Sequence, residues 1–367
     1  MLLWLIARFA VSPAAVASPL SSPSPVFLTA RIGLAAVVSF LAAILLGPRC
    51  IAWLRGRFSE RIDSASSRLN ELHAAKAGTP SMGGLFVAMA IVISVLVFGN
   101  LGNARVQLAL FVTVTFTALG CLDDWIKLTT HQRGLTARQK LLGQCLLSIL
   151  TAAWLFQIQS DTTPGTAFVW PMGLGSFPLG VLFIPWAMLV MVGTSNAVNL
   201  TDGLDGLAAG CTLFAGSAMT MTIYLSGHRE LASYLGIPHF IGVGELAVPL
   251  SAMVGAVLGF LWFNVHPAQV FMGDAGSLPL GALLAVGALA TRQEMLLVIV
   301  GGVFVAETVS VILQVGSNRL RGKKILACSP LHNHFVFAQV PETRIVVRFW
   351  IISAILAILG LVSLKSL

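Results

Sequence analysis

Long apolar runs separated by short polar loops set the pattern of this chain from residue 28 to its end. The runs lie near residues 28–54, 79–99, 105–122, 139–157, 178–196, 202–224, 245–263, 277–291, 295–316 and 345–364. Most approach the roughly 20 residues that a helix needs to cross the hydrocarbon core of a bilayer. They predict about ten transmembrane helices. Strand-like alternation of apolar and polar positions is absent, which excludes a transmembrane barrel. The expected fold class is therefore all-α, a polytopic membrane helical bundle. The opening Met1 to Val11 is apolar but interrupted by Arg8, and a Ser/Pro-rich stretch follows. Residues 1–25 thus read as an interfacial helix and linker, and 26–367 as a single transmembrane domain.

Composition agrees: 57% of residues are hydrophobic and 10% charged, against about 25% charged in soluble domains. A net charge of +8 raises nucleic acid as a partner, but the basic residues sit in short loops beside spans. There they serve orientation and anionic lipid headgroups, and no nucleic-acid partner is expected. Arg49, Arg55, Arg57, Arg61, Arg68 and Lys76 follow the first span. Lys127, Arg133, Arg138 and Lys140 follow the third, and Arg319, Arg321, Lys323, Lys324 and Arg344 the ninth. The other side carries only Arg8, Arg31, Arg105, Arg229, Arg292 and Lys365. The bias puts these three loops in the cytoplasm and both termini outside. The cysteines form no CxxC pair and read as packing residues.

This orientation gathers the scarce polar chemistry on one face. Asp123 and Asp124 close the third span, and adjacent carboxylates repel unless a cation or a shared proton relieves them; Mg²⁺, which prefers oxygen ligands, is the simplest relief. The plainer alternative is a solvated pair at a helix end, with Lys127 one turn on as its partner. In Asn196-Ala-Val-Asn-Leu-Thr-Asp-Gly-Leu-Asp-Gly-Leu207, a helix beginning near Thr201 would place Asp202 and Asp205 on one face of its first turn. A third segment runs from Trp262 to Gly276, where Asp274 lies between Gly273 and Gly276 just ahead of a span, an arrangement suited to phosphate. Lys76 and Ser81, in a glycine-rich turn without P-loop spacing, are further phosphate contacts. His332 and His334, two apart, would not share a helix face, and no Cys or Glu completes a zinc set. Glu307 lies inside the ninth span, either a functional group or a buried hydrogen-bonded acid.

Lys-Ala-Gly-Thr-Pro-Ser-Met-Gly-Gly at 76–84, Asp-Asp-Trp-Ile-Lys at 123–127, Asn-Ala-Val-Asn-Leu-Thr-Asp-Gly-Leu-Asp-Gly at 196–206 and Pro-Ala-Gln-Val-Phe-Met-Gly-Asp at 267–274 resemble the phospho-N-acetylmuramoyl-pentapeptide transferase family. The likeness runs from about Gly47 to the C-terminus. It implies an integral enzyme of the bacterial inner membrane with its site facing the cytoplasm and 26–367 as the catalytic domain. Such an enzyme moves phospho-N-acetylmuramoyl-pentapeptide from UDP to undecaprenyl phosphate, and it needs Mg²⁺. The resemblance makes Asp123, Asp124 and Asp274 catalytic, with Asp274 holding the metal and Asp123 and Asp124 as further metal candidates. It places Lys76, Asn199, Asp202, Gly203, Leu204, Asp205 and Phe271 around the nucleotide. Asn264, His332 and His334 would face the sugar phosphate or peptide, and Lys127 and Lys140 the lipid phosphate or the rim of the site. A homodimer and a lipid groove beside a bent helix, the ninth span, are also implied. The chain departs from the family's His-His-His loop, reading Pro330-Leu-His-Asn-His-Phe-Val336, so that the middle His is Asn333. Two other readings stand beside this one. A related polyprenyl-phosphate UDP-N-acetylhexosamine-1-phosphate transferase would share the acidic motifs, and a transporter would place acids at mid-span within an internal repeat.

Overall fold

A computed structural model of the protein describes residues 25–57, 78–130, 134–162, 164–170 and 175–365. The expected N-terminal interfacial helix and Lys76 lie outside the described residues. Helix α1 (Pro25–Arg55) is followed by α2 (Gly84–Phe98), α3 (Ala104–Thr129), α4 (Ala137–Gln159), α5 (Phe183–Thr201), α6 (Leu207–Ser226) and the short α7 (Arg229–Leu235). Then come α8 (Ala247–Asn264), α9 (Asp274–Thr291), α10 (Glu294–Val300), α11 (Gly302–Arg321), α12 (Leu331–Phe337) and α13 (Glu342–Val362). The all-α membrane bundle expected from the apolar runs is what forms.

Among the described residues, eight helices are long and apolar enough to cross a membrane, and nine if α10 and α11 count as one broken span. The expected span at 79–99 shortens to the 15 residues of α2, about 22 Å of helix against a hydrocarbon core of about 30 Å. The ninth span is bent by 84° between α10 and α11, at Gly301, where the backbone leaves helical values (ψ 16°). The expected bend in this span is therefore present, ahead of Glu307 and away from its polar end. A two-stranded antiparallel hairpin, β1 (Ala167–Val169) with β2 (Ser176–Pro178), joins α4 to α5. Strands so short carry no alternation to read; Phe168 stacking on Phe177 with ring centroids 5.2 Å apart supplies the contact between them.

At the centre stands α9, every one of whose residues is buried. It packs against α2, α3, α5 and α6, while α8 packs against α1, α2 and α6, and α13 lies over α6 and α10. Outer helices turn apolar stripes away from the bundle, as with Leu34, Val37, Leu41 and Leu45 of α1 and Leu142, Leu146 and Ile149 of α4. This is the arrangement expected where lipid, not water, is the surrounding solvent. Beyond α7, Glu245 pairs in bidentate fashion with Arg31 of α1 at 2.5 and 2.9 Å, and Arg31 also donates to the carbonyl of Phe98. The pair ties α1 and α2 to the segment that starts α8, at the end of the bundle opposite the loops that carry Asp123 and Asp274.

Candidate active site

Asp123 and Asp124, near the end of α3, meet Asp274, the first residue of α9, although 150 residues of chain separate them. All three are buried, and one carboxylate oxygen from each lies within 4.8 Å of the other two. The approach is possible because α3 presents Gly120, where a Cβ would run into the backbone of Asp274, and because Gly273 adopts φ +69° with Asp124 where its side chain would be. A helix N-terminus favours a carboxylate such as Asp274 through its dipole and its free amides.

The three acids follow one rule. Each uses one oxygen to anchor itself and turns the other toward a common centre. Asp124 Oδ2 accepts the amide of Ala275 at 3.0 Å, capping α9, and Asp123 Oδ1 accepts the amide of Leu135 at 2.8 Å from the loop ahead of α4. Asp274 Oδ1 accepts the side-chain amide of Asn199 at 2.7 Å. The free sides face Lys127, whose Nζ lies 2.6 Å from Asp123 Oδ2, 3.1 Å from Asp274 Oδ2 and 3.7 Å from Asp124 Oδ1. Lys140 pairs with Asp274 Oδ2 from the first turn of α4 and lies 3.4 Å from Asn199 Oδ1. Lys127 is thus more than a surface partner of Asp123.

Three carboxyl groups face two ammonium groups at this centre. Its ligand atoms are all oxygen, buried and held close. That donor set suits a hard divalent cation such as Mg²⁺ and lacks the soft or imidazole ligands that zinc takes.

Asp202 and Asp205 do not share a helix turn. Helix α5 runs on through Asn196 and Asn199 to Thr201, and α6 starts only at Leu207 after Gly206 at φ +79°. The carboxylates therefore stand in a five-residue turn, with Gly203 exposed and Leu204, Asp205 and Gly206 buried. Neighbours clamp it from several sides. Asn264 Oδ1 accepts the amide of Gly206 at 2.9 Å while its Nδ2 donates to Val270 O, and Glu342 Oε1 accepts the amide of Asp205 at 2.7 Å. Trp350 Nε1 donates to Gly206 O at 3.1 Å. Asp205 Oδ2 accepts from Ala268 N and lies 3.0 Å from His266 Nδ1. Asn264, expected to face substrate, thus has both polar ends engaged with loop backbone.

Phe271 is half-buried, and its backbone pairs with Pro80 and Gly83, tying the 78–84 segment to the Asp274 loop. Ser81 is buried beside Gly273. On α12, His332 is buried against Glu307 and Gly203, while His334 is half-buried with Nδ1 3.2 Å from the amide of Ala327. The two imidazoles have different partners, as their spacing implies. Glu342, Trp350 and His266 are not among the site residues expected from the sequence, although His266 lies in the Trp262–Gly276 segment singled out there. An acid after Pro341 reads as an ordinary helix start, Trp350 is one aromatic within an apolar run, and His266 is a lone histidine in a loop.

The chain resembles known proteins over most of its length. Residues 106–292 match the pattern of glycosyl transferase family 4. The chain is 48% identical over 343 residues to the phospho-N-acetylmuramoyl-pentapeptide-transferase of Solidesulfovibrio magneticus, covering 92% of this chain and 94% of that protein. It is 46% identical over 357 residues to the protein of the same name from Nitratidesulfovibrio vulgaris strain DP4, covering 95% and 98%.

Proposed function

The chain belongs to glycosyl transferase family 4 and, within it, to the phospho-N-acetylmuramoyl-pentapeptide-transferases, and on that premise we propose how it works. It transfers phospho-N-acetylmuramoyl-pentapeptide from its UDP carrier to undecaprenyl phosphate, giving UMP and lipid I, the first lipid-linked precursor of peptidoglycan. An oxygen of the lipid phosphate forms the new bond to the sugar-linked phosphorus, and the bond from that phosphorus to the bridging oxygen breaks, leaving with UMP. The observation that carries this reading is the convergence of Asp123, Asp124 and Asp274 at one end of the bundle, with one oxygen from each within 4.8 Å of the others.

Bringing a pyrophosphate and a phosphate together concentrates negative charge, so catalysis rests on positioning and neutralisation. Mg²⁺ bound at the carboxylate cluster supplies charge compensation to the pyrophosphate. Asp274 is its principal holder, with Asp123 and Asp124 adjoining. Lys127 and Lys140 meet the phosphates that enter beside them. Asp123 stands nearest the attacking phosphate; that phosphate is already largely ionised near neutral pH, its second pKa being about 6, and needs no dedicated base.

The turn of Asp202, Gly203, Leu204 and Asp205, with Lys76, Ser81, Asn199 and Phe271, receives the nucleotide, Phe271 lying under the uracil. His332 and His334 serve the sugar phosphate or peptide, and Asn264 acts by holding the turn. The site faces the cytoplasm of a bacterial inner membrane, which the basic loops favour, and the protein works as a homodimer as its family does. UMP release from UDP-N-acetylmuramoyl-pentapeptide, requiring both Mg²⁺ and undecaprenyl phosphate, tests the proposal. Turnover of UDP-N-acetylglucosamine in its place would reassign the donor, and no UMP release would reject the reaction.

A further inference from the structure

Glu307 is fully buried within α11, and a carboxylate in the membrane interior is costly unless paired. Its partner is one residue of a different segment. Glu307 Oε1 accepts the backbone amide of His332 at 3.1 Å, and Oε2 lies 3.2 Å from His332 Nδ1. A carboxylate only accepts hydrogen bonds, and the ring nitrogen facing it has no hydrogen-bond partner among the described residues, so a proton on that nitrogen would complete the pair. The opposite nitrogen, Nε2, lies against the exposed Gly203, where an added Cβ would collide with it. The imidazole is thus a wedge with Glu307 at its back and the Asp202–Gly206 turn at its front.

We propose that Glu307 is a positioning residue for the nucleotide-linked donor, fixing the ring of His332 so that it supports the turn at Gly203. The proposal rests on the reading that this turn receives the donor. It assigns Glu307 a part in donor binding alone, because the lipid phosphate is met by the separate Lys127 and Lys140.

Glu307→Gln keeps the size of the side chain and removes the second acceptor. It should raise KM for UDP-N-acetylmuramoyl-pentapeptide about tenfold, the loss of one good charged hydrogen bond, with KM for undecaprenyl phosphate unchanged. In a His332→Gln background the same change should have no further effect. Equal rises in both KM values, or the same loss with and without His332, would overturn the proposal. The pairing is also read without turnover, by ¹⁵N spectra of histidine-labelled protein. A proton on His332 Nδ1 in the wild type and its loss in Glu307→Gln support the proposal, and a neutral ring protonated only at Nε2 in the wild type overturns it. Wild-type protein that releases no UMP would instead sink the transferase reading, and the spectrum would still decide the role of Glu307.

Discussion

Asn199 donates its side-chain amide to Asp274 at 2.7 Å, joining the last turn of α5 to the first residue of α9. The same nitrogen reaches Ser277 Oγ at 2.8 Å, and the oxygen of Asn199 faces Lys140. One uncharged side chain thus fixes the direction of the central carboxylate. Asn199→Ala should lower the rate of UMP release about tenfold, the value of one hydrogen bond to a charged group, while the protein extracts and elutes as the wild type does. A rate within twofold of wild type would show that Asp274 is held by the lysines alone.

Asp274→Asn removes the charge at the centre of the cluster and keeps the shape. UMP release should fall at least about a thousandfold, as expected when a preorganised charge in a phosphoryl-transfer site is lost. Near-normal turnover by a folded variant would reject its role as metal ligand. Chelation with EDTA should abolish wild-type activity in parallel, with full recovery on adding Mg²⁺.

Trp350→Phe keeps an aromatic ring over Gly206 and Gly210 and deletes the indole hydrogen bond to Gly206 O. Donor KM should rise about fivefold, close to 1 kcal/mol for one hydrogen bond. An unchanged donor KM would show that the turn is held sufficiently by Asn264 and Glu342.

Asn333 is buried, and its Oδ1 has no hydrogen-bond partner within the described residues. Restoring the family residue with Asn333→His should leave activity within about threefold, since no existing hydrogen bond of that oxygen is lost. A folded but inactive Asn333→His variant would mean that the neighbouring residues have adapted to asparagine.

Arg31→Met strands Glu245 in a buried setting, and unpaired buried charges of this kind cost about 3 kcal/mol or more. The thermal midpoint of detergent-solubilised protein should fall. Adding Glu245→Gln should recover most of the loss, and a single variant as stable as the wild type would show that water reaches Glu245.

Much of the bundle was legible from run length alone, because a segment of apolar residues sufficient to cross lipid has few other fates. Charge bias likewise places Asp123, Asp124 and Asp274 on one face. What escaped were features fixed by neighbours. Asp202 and Asp205 have the spacing of a helix turn, yet Gly203 and Gly206 let the chain follow the hydrogen bonds offered by Asn264, Glu342 and Trp350, which lie far away in sequence. The sequence predicts a bent ninth span without placing the break at Gly301, since a glycine within an apolar run also fits an unbroken helix. Lys127 had an obvious partner one turn back, which concealed the third carboxylate from α9.

Enclosure of α9 on every side separates the chemistry from the state of the bilayer. Helices α1, α4 and α13 are little buried by the rest of the bundle, and a thicker or thinner membrane would tilt such peripheral rods first. Asp274 meets that outer shell directly only at Lys140 of α4 and is otherwise held from α3 and α5, by the cap of Asp124 on Ala275 and by the amide of Asn199. The acid can therefore keep its bearing while the rim of the molecule adjusts to admit a long isoprenoid.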